Sequence, residues 1–364
     1  MNHRKRTENL TRVMLGRRRR LAIRKFCIGL IVVSTLASLL LTGGLLGFHR
    51  QGLSFQSNYD VQSFWVSRLF EWFLGIWVFI VGSCIASFLN VVAYRVPAGL
   101  PVTGTSFCPH CSVPILPSDN VPVLGWFMLG GRCRSCKLSI SPRYPTFEFI
   151  GGLLLLSVYL STVLGHGRNL PWNRPIDLAY GLPMNLHFMD EAVFYIAGLH
   201  IWLLLFLYAE ALTSWGHGRL PLKVWIFGAL GILTAIALRP ELCVLPISER
   251  LTSMLPLYVT ESPRYRAILT SMVGSMVAAM IASIWRVRSG QSTWIAACSL
   301  VGLALGWQAS IGILFFTAVA FAFGRFDFVN SKNPTINLPI QSLWLWTAIF
   351  LMTWRWFGQL SRIF

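Results

Sequence analysis

FLGIWVFIVGSCIASFLNVVAY, Phe73–Tyr94, decides the architecture: it holds no Asp, Glu, Lys or Arg. As a helix rising about 1.5 Å per residue, it is long enough to cross a hydrocarbon core about 30 Å thick. Lipid offers no partners to backbone N–H and C=O groups, so the segment must close its hydrogen bonds internally. An unbroken apolar run of this length is not the alternating ten-residue strand of a barrel. The same pattern recurs along a chain of 364 residues that is 55% hydrophobic and 12% charged. The reading is an all-α, polytopic transmembrane helical bundle, with spans expected near 26–48, 73–94, 147–165, 192–209, 224–238, 267–285, 293–307, 309–324 and 340–357. The last pair but one is divided at Gly306, where a tight turn is expected.

The formal net charge of +18 is high enough to raise nucleic acid as a partner, so its distribution matters. With the N-terminus in the cytoplasm, most of the Lys and Arg fall on cytoplasmic segments, including all five lysines, Lys5, Lys25, Lys137, Lys223 and Lys332. The positive-inside rule accounts for the charge, and the partner it implies is the lipid bilayer, not nucleic acid. Residues 1–25 form a basic cytoplasmic tail facing anionic head groups. Residues 26–48 are too long for the core of a cleaved signal peptide and read as an uncleaved anchor. Residues 192–357 form a C-terminal membrane bundle.

Between the spans at 73–94 and 147–165 lies an insert, 95–146, unlike anything else in the chain. Cys108, Cys111, Cys133 and Cys136 form two Cys-x-x-Cys pairs, each spaced so that a turn aims two thiolates at one ion. Four sulfurs suit tetrahedral zinc, in a closed site that stabilises structure and leaves no open position for catalysis. A segment so poor in large apolar side chains needs such a contribution to fold. The other cysteines, Cys27, Cys84, Cys243 and Cys298, are isolated.

The stretches GSCIASFLNVVAYRVP (Gly82 to Pro97), SDNVPVLGWFMLGGRC between the cysteine pairs, and ISPRYPTFEFIGGLLLL after them together resemble the N-terminal half of bacterial type IV prepilin leader peptidases, membrane proteins that are both peptidases and N-methyltransferases. The resemblance places Asn90, Arg95, Asp119, Asn120, Arg143, Tyr144 and Glu148 on motif positions. It implies a location in the bacterial inner membrane, cleavage of pilin-like leader peptides, and methylation of the new N-terminus from S-adenosylmethionine.

Peptidase chemistry in that family uses two aspartates in the C-terminal half, and here the sequence departs from the pattern. The first belongs shortly before a Leu-Pro-Asp; YAEALTSWGHGRLPLKVW, Tyr208 to Trp225, keeps Leu220 and Pro221 but contains no Asp. The second opens a span in a Gly-x-Gly-Asp-x-Lys signature, and around Gln291 no Asp stands. The five aspartates, Asp60, Asp119, Asp177, Asp190 and Asp327, match neither position. Glu210, expected near a membrane boundary beside the neutral-range titrator His217, is the one candidate for a substitute carboxylate. Two readings follow: a leader peptidase-like enzyme, or a catalytically inactive relative that binds pilin-like or secretion-assembly proteins.

Overall fold

The computed structural model describes residues 58–165, 167, 169–171, 191–216, 218–244, 262–285, 291–328 and 338–360. The basic tail and the anchor expected at 26–48 lie outside them, as does His217. Among the described residues the fold is helical, with no strands beyond two isolated bridges. The helices are α1 (Asn58–Arg95), α2 (Leu124–Met128), α3 (Arg143–Val158, closing in a π turn at Tyr159–Val163), α4 (Glu191–Trp215), α5 (Leu222–Leu238), α6 (Pro263–Ile284), α7 (Gln291–Phe328) and α8 (Leu338–Leu360).

Among the described residues, five segments are long and apolar enough to cross a membrane: Leu69–Arg95, Arg143–Val163, Glu191–Trp215, Pro263–Ile284 and Gln291–Val319. The chain is a multi-pass membrane protein. α5 is a shorter apolar helix. The spans expected at 293–307 and 309–324 are two helical segments of α7 that meet at Gly306, which leaves helical geometry (φ 82°, ψ 174°). Instead of a turn there is a kink, in a backbone region essentially reserved for glycine. α4 runs from 191 to 215, past the expected end at 209, and so takes Glu210 into its interior.

Because lipid tails are as apolar as the side chains, helices in a membrane gain most from close backbone approach through small residues. Two pairs do this. In the first, a Cβ on Gly82 would lie 2.9 Å from the Gly151 carbonyl oxygen and 3.0 Å from Gly152 Cα, so α1 and α3 meet backbone to backbone. In the second, Gly274 and Ala278 of α6 face Gly302 and Gly306 of α7 with the same closeness. α4 is the centre of the bundle, packed on by α5, α7 and α8, with Ile196, Leu203 and Leu204 fully buried.

At one end of α4, Arg239 stacks its guanidinium 4.6 Å from the Tyr195 ring centre and pairs with Glu241 at 3.2 Å, joining the start of α4 to the end of α5. At the other end, Ala86 of α1, Tyr208 and Leu212 of α4, Phe147 of α3 and Trp344 of α8 pack into one cluster. The structure divides into two compact units, with Thr105–Pro145 in one and Ser67–Gly104 with Thr146–Phe364 in the other.

Candidate functional site

The two cysteine pairs sit on turns of the same design. In the first, Cys108 N–H donates to the Val113 carbonyl (3.0 Å), Ser112 N–H donates to the Cys108 carbonyl (2.8 Å), and Phe107 bridges Pro114. In the second, Cys133 N–H donates to Leu138 (2.9 Å), Lys137 N–H donates to Cys133 (3.1 Å), and Arg132 bridges Ser139. The residue after each second cysteine takes a left-handed conformation, Ser112 at φ 57° and Lys137 at φ 63°. This reverses the chain and brings both thiols of a pair to one side.

All four sulfurs lie within 4.8 Å of one another, with Cys108–Cys136 and Cys111–Cys133 each at 3.9 Å. A tetrahedral ion held at about 2.3 Å by four thiolates sets its sulfurs roughly 3.8 Å apart, so the tetrad fits a metal ion without rearrangement. Backbone N–H groups of Cys136 and Ser135 donate to the Cys133 sulfur and hold its pKa down to about 6. The Cys136 thiol also receives the Leu138 N–H, but burial and the neighbouring thiols together push it up to about 11.

Around the tetrad the insert is held by a few specific contacts. Trp126 Nε1 donates to the Ile140 carbonyl at 2.9 Å, and its ring covers Gly131, where a Cβ would come within 2.8 Å. Asp119 ends a 3-10 turn (Pro117–Asp119) capped by Asn120, and it accepts two bonds from the Arg134 guanidinium. That guanidinium holds the Asp119 carboxyl below the usual range. Two of the motif positions thus have a structural use within the insert. Arg134, the partner, carried no signal in the sequence, because pairing across the cysteine turns is set by the fold.

Of the remaining motif residues, Asn90, Arg95 and Glu148 belong to the bundle, and Arg143 and Tyr144 to the unit of the insert. Arg95, 9% exposed, directs Nη1 at the carbonyls of Pro101 (3.3 Å), Val102 (3.5 Å) and Thr103 (3.1 Å), folding the chain after α1 back on its end. Pro97, in the same loop, lies against Gly218 in the connection between α4 and α5. Asn90 is half-buried on α1, and its Nδ2 has no partner among the described residues. Arg143 opens α3, donating its backbone N–H to Ser141 Oγ at 3.3 Å, and Tyr144 beside it is exposed.

Glu148 is half-buried in the early part of α3, next to Phe147. Phe147 accepts the Tyr208 hydroxyl (2.7 Å) and stacks on Trp215 at 4.6 Å. The start of α3 and the end of α4 therefore touch.

Glu210, 1% exposed, sits in that end of α4. Its Oε2 accepts the Leu220 N–H at 3.1 Å, and its Oε1 has no partner among the described residues. Thr213 and Ser214 spend their hydroxyls on their own helix, at Ala209 (2.7 Å) and Ala211 (3.0 Å). Gln291 donates Nε2 to the carbonyls of Ala282 (3.1 Å) and Trp285 (3.2 Å), satisfying orphan acceptors at the end of α6. At a position where the resemblance leads one to expect an acid, this chain has a helix cap.

The sequence profile described as "Bacterial Peptidase A24 N-terminal domain" matches residues 80–162. The chain is similar to the prepilin leader peptidase/N-methyltransferase of Myxococcus xanthus, 41% identical over 83 residues, which are 22% of this chain and 25% of that protein. It is 35% identical to the protein of the same description from Aeromonas hydrophila, over 25% of this chain and 40% of the relative. To the one from Neisseria gonorrhoeae it is 27% identical, over 44% of this chain and 80% of the relative. The match to the first two relatives thus spans well under half of their length. No solved structure matches.

Proposed function

We propose, from the similarity of residues 80–162 to the N-terminal domain of prepilin leader peptidases, that this chain is a member of that family and an inner-membrane protein with a cytoplasmic N-terminus that receives pilin-like leader peptides. The proposed receiving place is the end of the bundle where α1, α3, α4 and α8 meet. The cysteine tetrad holds structural zinc. The observation that carries the reading is the state of Glu210. It is a buried acid on the segment of α4 that precedes Leu220–Pro221, with one oxygen spent on the Leu220 N–H and no second acid hydrogen-bonded to the other among the described residues.

Aspartic hydrolysis needs two carboxyl groups sharing a proton, one as base and one as acid. The arrangement favours binding without efficient cleavage, and S-adenosylmethionine enters only if methyl transfer is retained. A second reading has its own observation: Glu148 lies on a segment that touches the end of α4 through Phe147 and Tyr208, so a Glu148 and Glu210 pair is the alternative route to hydrolysis.

Coexpression with a pilin-like substrate bearing a Gly-Phe junction separates the two. Binding predicts substrate that crosslinks to the protein and stays unprocessed. Processing that is lost in both Glu148→Gln and Glu210→Gln establishes hydrolysis instead.

A further inference from the structure

α2 is only five residues long, and its two sides differ. Gly125 is buried, approaching the Asp119 backbone so closely that any side chain there would collide with the Asp119 carbonyl. Trp126 is locked between Gly131 and the Ile140 carbonyl. The other side carries Leu124, Phe127 and Met128, at the i, i+3, i+4 spacing that places them together on one face. They are 48%, 43% and 64% exposed. A helix whose inner side is fully used by its own unit, and whose outer side is three large apolar side chains, is built to meet an apolar medium.

We infer that this face of the insert seats in the interfacial layer of the bilayer. Three observations favour lipid over a protein groove. The insert is chain-continuous at both ends with segments that cross the membrane, Leu69–Arg95 and Arg143–Val163, so it stays near a bilayer surface at all times. The Arg95 guanidinium holds carbonyls 101–103 against the end of α1, which shortens one of these tethers. With Asp119 engaged by Arg134, the exposed Arg132 and Lys137 provide cations for lipid phosphates. Zinc held by four thiolates would carry net negative charge and offset part of this charge, so insertion of the apolar face dominates and anionic lipid adds to it.

The test uses the full chain in nanodiscs of phosphatidylcholine, with and without phosphatidylglycerol. A benzoylphenylalanine photocrosslinker replaces Phe127 in one variant and the exposed His110 of the first cysteine turn in another. The expected result is a phospholipid adduct on the peptide containing position 127, at least fivefold above position 110, present in both lipids and increased by phosphatidylglycerol. Changing Leu124 and Met128 to Gln in the same protein should lower the adduct severalfold. Equal lipid yields at the two positions, or adducts at 127 that are exclusively protein, would overturn the inference. The second of these outcomes would identify the face as a protein docking surface.

Discussion

Two glycines on buried helices should respond in opposite directions to the same added methyl group. Gly302 of α7 lies against α6: a Cβ there would stand 2.5 Å from the Gly274 carbonyl carbon, closer still to its oxygen, and 2.9 Å from Ala278 Cβ. None of these is the end of a flexible side chain, so the helices must separate by roughly 1 Å to restore ordinary contact. Overpacking of this kind costs about 1–3 kcal/mol, and the rigid backbone neighbours place Gly302→Ala near the upper end. The better helix propensity of alanine returns at most about 1 kcal/mol, leaving a net loss of about 2 kcal/mol, or roughly thirtyfold in the folded ratio.

Gly198 of α4 has nothing within 4 Å of its Cβ position, so Gly198→Ala collects the propensity gain alone, about 0.5–1 kcal/mol. Thermal unfolding of both variants in detergent, followed by size-exclusion fluorescence, should show Gly302→Ala melting several degrees below the parent protein and Gly198→Ala at or above it. A Gly302→Ala protein as stable as the parent would refute the close α6–α7 contact and, with it, the placement of the Gly306 kink.

Three further outcomes are expected. Cys136→Ser should reduce bound zinc, measured by atomic emission on purified protein, to a small fraction of the parent stoichiometry and leave the insert sensitive to protease, because three sulfurs cannot close the site. Asp119 has its pKa depressed by Arg134, so the stability this pair contributes is present above the unfolded value of about 3.9 and is lost as pH falls through the folded value. Protease resistance of the insert should therefore be flat between about pH 5 and 8 on account of this pair, and Asp119→Asn should remove its low-pH step. Glu210→Gln should keep the Leu220 N–H bond through the amide oxygen and preserve expression. Glu210→Leu leaves that buried donor unpaired, at a cost of about 1–3 kcal/mol, and should lower the melting temperature.

Helical spans were legible because a bilayer imposes one requirement, internal hydrogen bonding over about twenty apolar residues, which any reader of hydropathy can apply. The cysteine tetrad was equally legible, since its turns are local and its ligands come in pairs. Gly306 stood out in the sequence as an interruption, yet whether a glycine turns the chain or kinks it depends on what packs against it. Here Gly306, close against Gly274, joins two helical segments at a kink.

Composition and spacing by themselves determined a multi-pass helical protein with a four-sulfur clip, because lipid exclusion and thiolate pairing act within a few residues of sequence. Only the tertiary structure decided that Arg134 engages Asp119, that Gln291 caps α6, and that the Glu210 carboxylate is tied to the Leu220 N–H inside the bundle. Those pairings join side chains to partners chosen by chain path and by the cost of leaving a buried polar group unmet, and neither is written in the spacing of residues.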